Sequence, residues 1–374
     1  MELSMRLEER TFFRKLDWQL VIIIIFLQVI GLVNLYSATH GPNDTSVEQL
    51  FINQFVWLGV GWSLFFIVTI FDYAFVMKIA LAIYVLNLGA ILYVTFFGKV
   101  ALGAQRWINL GFFNYQPSET MKLALVMVIA KMMAHRTIPK HGMGFKGLML
   151  PLILLGIPFV LVVEQPDLGT ALMLLSIGIS MIVFLKVRKY IVVMAVLAAI
   201  VAVPIAWRFV LHDYQKNRIL TFVAPHNDPR GSGYNSIQSK IAVGSGKFLG
   251  KGFKKGTQSQ LEFLPERHTD FIYSVLSEEW GFVGSLLTIS LFTFLFLQIV
   301  RIATHARDKF GSLLCVGILC YIFWHMFVNV GMVIGLLPIV GVPLPLVSYG
   351  GSSMLTTMVG LGLVSSVAYR RYLF

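Results

Sequence analysis

The stretch from Gly256 to Ile272 brings Glu262, Glu266, Arg267, His268 and Asp270 to the threshold of a long apolar run. Charged groups at a membrane boundary are costly unless solvated, paired or used, so this segment is the first place to look for chemistry. Asp270 is expected to open the apolar helix, with Ser274 and Glu278 following at one-turn intervals as a polar wall. A carboxylate in that position suits chemistry on an amphiphile. It also has a plainer role, because an acid in the first turn complements the helix dipole.

Two other helix starts share the design: Gln116-Pro117-Ser118-Glu119 and Gln165-Pro166-Asp167-Leu168-Gly169-Thr170. Proline at the first helical position is ordinary helix-start chemistry and accounts for each acid taken alone. It leaves Lys122 unexplained, three residues after Glu119 on the same face and inside an otherwise apolar span. A lysine there needs a partner. Glu119 is the nearest in sequence, and the two are expected to pair and shape a substrate cavity. Arg106, next to Trp107, faces the same side, where an interfacial anchor is the alternative reading.

The elements that position these groups are set by composition: the 374 residues are 57% hydrophobic and only 13% charged. A span takes about 20 apolar residues to cross roughly 30 Å of hydrocarbon. Ten such runs lie near residues 18–37, 51–70, 75–97, 118–134, 147–163, 168–185, 190–208, 270–300, 311–336 and 346–368. They are too long and continuous for barrel strands, so the expected fold is all-α and polytopic, with about ten transmembrane helices in one domain, 1–374. The first run is too long for a cleavable signal and is expected to stay in the protein. Arg14, Lys15, Lys131, Arg136, Lys186, Arg188, Arg301, Arg307, Arg370 and Arg371 fall on one face, which makes both termini cytoplasmic. The acid-bearing helix starts then lie on the outer face.

The net charge of +12 is in part this topology signal, and no basic motif with interleaved aromatics points to nucleic acid. An outer loop over residues 209–269 is the exception. It gathers Lys216, Arg218, Arg230, Lys240, Lys247, Lys251, Lys254, Lys255 and Arg267 against Asp213, Asp228, Glu262 and Glu266. Anionic headgroups or an acidic substrate would each explain that excess. Arg106, Lys240 and Arg267 are the candidates for phosphate contact. Ile237, Ile241, Val243, Phe248, Leu261, Phe263 and Leu264 give the loop apolar anchors, and its glycines suggest turns or close approach to a ligand. Cys315 and Cys320 fit neither a disulfide nor a zinc motif. His325 and Asn329, one turn apart, suit interhelical hydrogen bonding better than a proton relay.

Gly103-Ala104-Gln105-Arg106-Trp107, the two Gln-Pro starts, Gly256 to Ile272, and Pro343-Leu344-Pro345-Leu346-Val347-Ser348-Tyr349-Gly350-Gly351-Ser352 resemble, in order and spacing, the signatures of the SEDS family. The run Leu264-Pro265-Glu266-Arg267-His268-Thr269-Asp270 is most similar to the RodA branch of that family. The resemblance implies an inverting glycosyltransferase that polymerises lipid II in the bacterial cytoplasmic membrane, with the active site outside. It also implies a class B penicillin-binding protein transpeptidase as partner, with other membrane proteins of the elongation complex. The family's catalytic aspartate maps onto Asp270, and its other activity-linked residues map onto Arg106, Glu119, Lys122, Asp167, Lys240 and Glu266. No covalently bound cofactor is implied; a divalent cation, Mg or Mn, held by Asp167 or Glu266 is an expectation. A lipid II flippase or a noncatalytic scaffold are the competing functions. A flippase would carry polar groups through the bilayer depth, whereas here they gather toward one face.

Overall fold

A computed structural model describes the chain apart from residues 1–13, 40–44, 102–103, 110, 112–113, 138, 140, 185, 210, 212, 225–231, 262 and 372–374. Gly103, Asp228, Arg230 and Glu262, named above, lie outside the described residues. Each of the ten apolar runs is a helix. In chain order the first three are α1 (Trp18–Thr39), α2 (Thr45–Ile70) and α3 (Tyr73–Phe97). Then come α4 (Pro117–Ala134), α5 (Phe145–Glu164), α6 (Leu168–Phe184) and α7 (Lys189–Phe209). After the loop helices α8 (Asp213–Val223), α9 (Ser232–Ser245) and α10 (Thr257–Gln260), the chain closes with α11 (Ile272–Thr304), α12 (Lys309–Val333) and α13 (Gly351–Arg370).

Eight of these helices are long and apolar enough to cross a membrane: α1, α2, α3, α5, α7, α11, α12 and α13. The expected count of ten includes two that differ. Helix α6 is apolar but has 17 residues, and α4 carries Glu119, Lys122 and Lys131. Those charges do not place α4 at the periphery. Met121 to Ala130 is buried without a break, with α3, α5, α6, α12 and α13 packed around it. A stretch that is apolar on all sides belongs at the centre of a bundle, and this one takes the charged Glu119 and Lys122 there with it.

The helical reading missed a small antiparallel sheet, β1 (Lys99–Ala101), β2 (Ala104–Asn109) and β3 (Asn114–Tyr115), in that order, before α4. Neighbouring side chains on a strand point to opposite faces. Gln105 turns back to the Gly98 carbonyl at 2.8 Å, while Arg106 reaches across to the start of α6.

The loop over 209–269 is folded. Ser239 of α9 donates to the carbonyl of Val333 at 2.7 Å, satisfying an orphan acceptor at the end of α12. Leu264 is buried as an anchor, but Ile241, Phe248, Leu261 and Phe263 are exposed, contrary to the expectation drawn from hydrophobicity alone. Two of the loop glycines, Gly246 and Gly250, serve helix packing. A Cβ at Gly246 or Gly250 would lie 2.0 and 2.1 Å from the carbonyls of Ser277 and Glu279. At that contact α11 breaks its own ladder at Gly281 (φ 64°, ψ −156°), and Lys251 and Gly252 donate to the carbonyls of Glu278 and Glu279, each at 3.0 Å.

Candidate active site

Three acid-bearing segments converge. The start of α6 is fixed from behind by Gln165, whose amide donates to the Ile91 carbonyl (2.8 Å) and to Thr95 Oγ1 (2.9 Å) at the end of α3. This turn presents Asp167, which accepts from Thr170 Oγ1 at 2.9 Å and from the Gln116 amide at 3.3 Å. Arg106 Nη1 stands 3.6 Å from Asp167 Oδ1, and its other nitrogens bond the carbonyls of Gln165 and Pro166. The two Gln-Pro starts therefore meet, with Arg106 across them.

Asp270 lies in the turn ahead of α11, not in its first helical turn. Phe271, at φ −106° and ψ 18°, is the cap, and the helix starts at Ile272 with no acid in its first turn. Asp270 is thus the residue just ahead of the cap, and its carboxylate makes no capping bond to the first turn. The side chain is half-buried, and burial pushes its pKa from 3.8 up to about 7; the negative charges of Glu266 and Asp167 add to the rise and Arg218 opposes it. Those three residues from three segments are its electrostatic surroundings. Burial also lowers the pKa of neighbouring His268, against the nearby Glu266 charge.

The backbone of this turn is held by the far end of the chain. Ser348 Oγ donates to the Thr269 carbonyl at 2.7 Å, the Tyr349 amide donates to the His268 carbonyl at 3.0 Å, and Asn329 Nδ2 donates to the Asp270 carbonyl at 2.8 Å. Two glycines let the segment from Val340 onward pass close by. A Cβ at Gly169 would sit 2.4 Å from the Val340 carbonyl, and one at Gly341 (φ +72°) would sit 3.2 Å from Asp270 Oδ2. The Pro-Leu-Pro and Ser-Tyr-Gly-Gly stretch is thus the clamp on the Asp270 turn. Glu266 itself takes a left-handed conformation, φ +51°, uncommon for a residue with a side chain.

Glu119 and Lys122 pair as expected, Nζ to Oε1 at 2.6 Å. They are 5% and 1% exposed, which makes them a buried electrostatic element and not the lining of an open cavity. His325 Nε2 is 2.8 Å from the same ammonium, an interhelical hydrogen bond. The remaining predicted residues divide. Glu266 joins the Asp270 group, with Thr269 Oγ1 donating to its carboxylate at 3.0 Å. Arg267 is buried and donates from Nε to the Ala38 carbonyl at 2.8 Å, so it ties the loop to the end of α1. Lys240 is exposed on α9 and lies against Gly335 beyond α12.

Glu278 does not form the expected wall beside Asp270. It is fully buried, forms a separate ion pair with Lys251 Nζ at 2.7 Å, and accepts from the backbone N–H of Gln258 at 3.0 Å, the bond that fastens α10 to α11. The sequence reading passed over Arg218 as one loop cation among many. Ser348 and Tyr349 entered that reading only within the family signature, and their turn-like sequence gave no sign of what they hold. Among the described residues no group of three or more His, Cys, Asp or Glu side chains converges as a metal site. Cys315 and Cys320 are free thiols.

Comparison with known proteins gives concordant matches. The model of the FTSW_RODA_SPOVE family, described as cell cycle proteins, matches residues 17–373. The peptidoglycan glycosyltransferase MrdB of Escherichia coli K12 is 43% identical over 289 residues, 77% of each chain. The peptidoglycan glycosyltransferase RodA of Treponema pallidum is 30% identical, covering 95% of this chain and 98% of its own. Among solved structures, one from a peptidoglycan synthase complex that coordinates polymerization and crosslinking superposes with a TM-score of 0.82 at 30% identity, covering 96% of this chain and 99% of that one. The rod shape determining protein RodA of Thermus thermophilus gives a TM-score of 0.71 at 28% identity, covering 96% and 98%.

Proposed function

We propose that this chain, which belongs to the FTSW_RODA_SPOVE family of cell cycle proteins, is a peptidoglycan glycosyltransferase that polymerises lipid II during cell elongation. The observation that carries the residue-level reading is Asp270, a half-buried carboxylate with a pKa of about 7, set among Glu266, Asp167 and Arg218 at the head of α11. A general base is most effective when its pKa lies near the working pH. In this reading Asp270 takes the proton from the acceptor sugar hydroxyl, and that oxygen attacks the anomeric carbon of the donor. The bond to the pyrophosphate breaks in the same displacement, inverting the centre, and undecaprenyl pyrophosphate leaves without a covalent enzyme intermediate.

A pyrophosphate is already a good leaving group, so its need is charge stabilisation. Arg106, held at the meeting of β2 and α6, and Arg218, close enough to oppose the rise in the Asp270 pKa, are suited to that task. Lys240, exposed on α9, would meet the substrate farther out. A divalent cation would be shared between Asp167 or Glu266 and the substrate's own phosphates, since the described side chains offer no complete ligand set.

The same reading places the protein in the bacterial cytoplasmic membrane as a single domain over residues 1–374. Both termini are cytoplasmic, and the loop over 209–269 and the site face outward. Its partner is a class B penicillin-binding protein transpeptidase. Purified protein supplied with lipid II in vesicles tests the assignment: glycan polymer supports it, whereas translocated monomer, or neither product, supports a flippase or a scaffold.

A further inference from the structure

His325 is wholly buried in α12, and both ring nitrogens are engaged: Nδ1 at 2.7 Å from the Tyr321 carbonyl and Nε2 at 2.8 Å from Lys122 Nζ. A backbone carbonyl can only accept, so Nδ1 must carry a proton. The Lys122 ammonium, 2.6 Å from the Glu119 carboxylate, has donors and no lone pair. Nε2 must therefore be bare. The contacts on either side fix one protonation state: neutral, with hydrogen on Nδ1. One turn farther along the same helix, Asn329 donates both amide hydrogens, to the carbonyl of Asp270 at 2.8 Å and to that of Val342 at 2.7 Å.

We infer that His325 is a positioning residue: as the neutral Nδ1–H tautomer it holds the Lys122–Glu119 pair of α4 in register with the Asp270 turn that Asn329 holds from the same helix. A buried lysine on a flexible four-carbon stem with only one acceptor can swing around it, whereas two acceptors on two helices define its place. Tyr321 narrows the space further. Its ring centroid is 4.4 Å from that of His325 and 5.6 Å from the ammonium, and its hydroxyl is tied to Thr357 Oγ1 at 3.0 Å. Apolar packing already brings α4 against α12, and the imidazole adds a polar link between them at the level of Lys122. The mutational consequences rest on the reading of the chain as a lipid II polymerase; the tautomer does not.

The test uses the full-length protein in nanodiscs. His325→Leu removes the acceptor while filling the space, and His325→Gln restores an acceptor at about the Nε2 position. The leucine variant leaves the buried Lys122 ammonium short of an acceptor, so its thermal unfolding temperature should fall while staying above the assay temperature. Its kcat on lipid II should fall on the order of 100-fold, as misplacement of a reacting constellation does, with little change in KM. The glutamine variant should stay within a few fold of wild type. Independently of activity, nitrogen NMR of 15N-histidine protein should show one resonance pair, absent in His325→Gln, with a protonated Nδ1 and a bare Nε2. That Nε2 signal should move in Lys122→Met. Full activity in the leucine variant, equal loss in leucine and glutamine, or a protonated Nε2 would each overturn the inference.

Discussion

Lowering the pH from 8 to 5 should silence the enzyme through Asp270. With a pKa of about 7, the ionised, proton-accepting form is roughly 90% of the total at pH 8 and roughly 1% at pH 5, so kcat/KM should fall about 90-fold with unit slope below the midpoint. The stability effect runs the other way. The carboxyl pKa is raised from 3.8 in the unstructured chain to about 7 in the fold, so the native state binds the proton more tightly than the unfolded one. Ionisation therefore costs stability progressively as pH rises between those values, and the full cost is present above the upper one. About three pH units correspond to about 4 kcal/mol, and screening of a partly exposed group reduces that to about 2 kcal/mol. Asp270→Asn should accordingly unfold at a higher temperature than wild type at pH 8 and at about the same temperature near pH 4. The neighbours give two directional checks on the rate profile. Glu266→Gln should move its midpoint to lower pH and Arg218→Gln to higher pH, because the first charge raises the Asp270 pKa and the second lowers it. A midpoint that neither variant moves, with an asparagine variant no more stable at pH 8, would refute the reasoning.

Lys122→Met strands the Glu119 charge in the core and should destabilise by about 3–5 kcal/mol; adding Glu119→Gln should restore the unfolding temperature while polymerisation stays low. Gly169→Ala would put a Cβ 2.4 Å from the Val340 carbonyl, so it should leave the helices intact by circular dichroism yet reduce turnover by displacing the segment over Asp270. Arg106→Gln should raise the KM for lipid II several fold without changing membrane assembly, and an unchanged KM would mark Arg106 as an interfacial anchor.

Much of this arrangement was legible in the residues. The helices followed from apolar runs long enough to span, and the Glu119–Lys122 pair followed from i,i+3 spacing in a segment with no other partner. What sequence did not show was which way the loop cations turn. Arg218 of α8 lies near enough for its charge to oppose the rise in the Asp270 pKa, whereas Arg267, only three residues away in the chain, is buried and bonded to the end of α1. Both arginines read alike as cations of one outer loop, and only the path of the chain separates their surroundings. The same holds for Glu278. Its two-turn spacing from Asp270 carried no information because the helix begins only at Ile272. The clamp formed by Ser348, Tyr349 and Asn329 is made of two side-chain to backbone bonds and one backbone to backbone bond between segments about 60 to 80 residues apart, which periodicity cannot encode.

The most direct test of the account is polymerisation of lipid II by purified Asp270→Asn protein with its transpeptidase partner, beside wild type. Asparagine keeps the shape of the side chain and cannot take the proton. The account predicts normal membrane assembly, retained partner binding and a loss of about 100- to 10,000-fold in glycan synthesis. Polymerisation within a few fold of wild type would contradict it and move the search for the base to Glu266, Asp167 or Glu119.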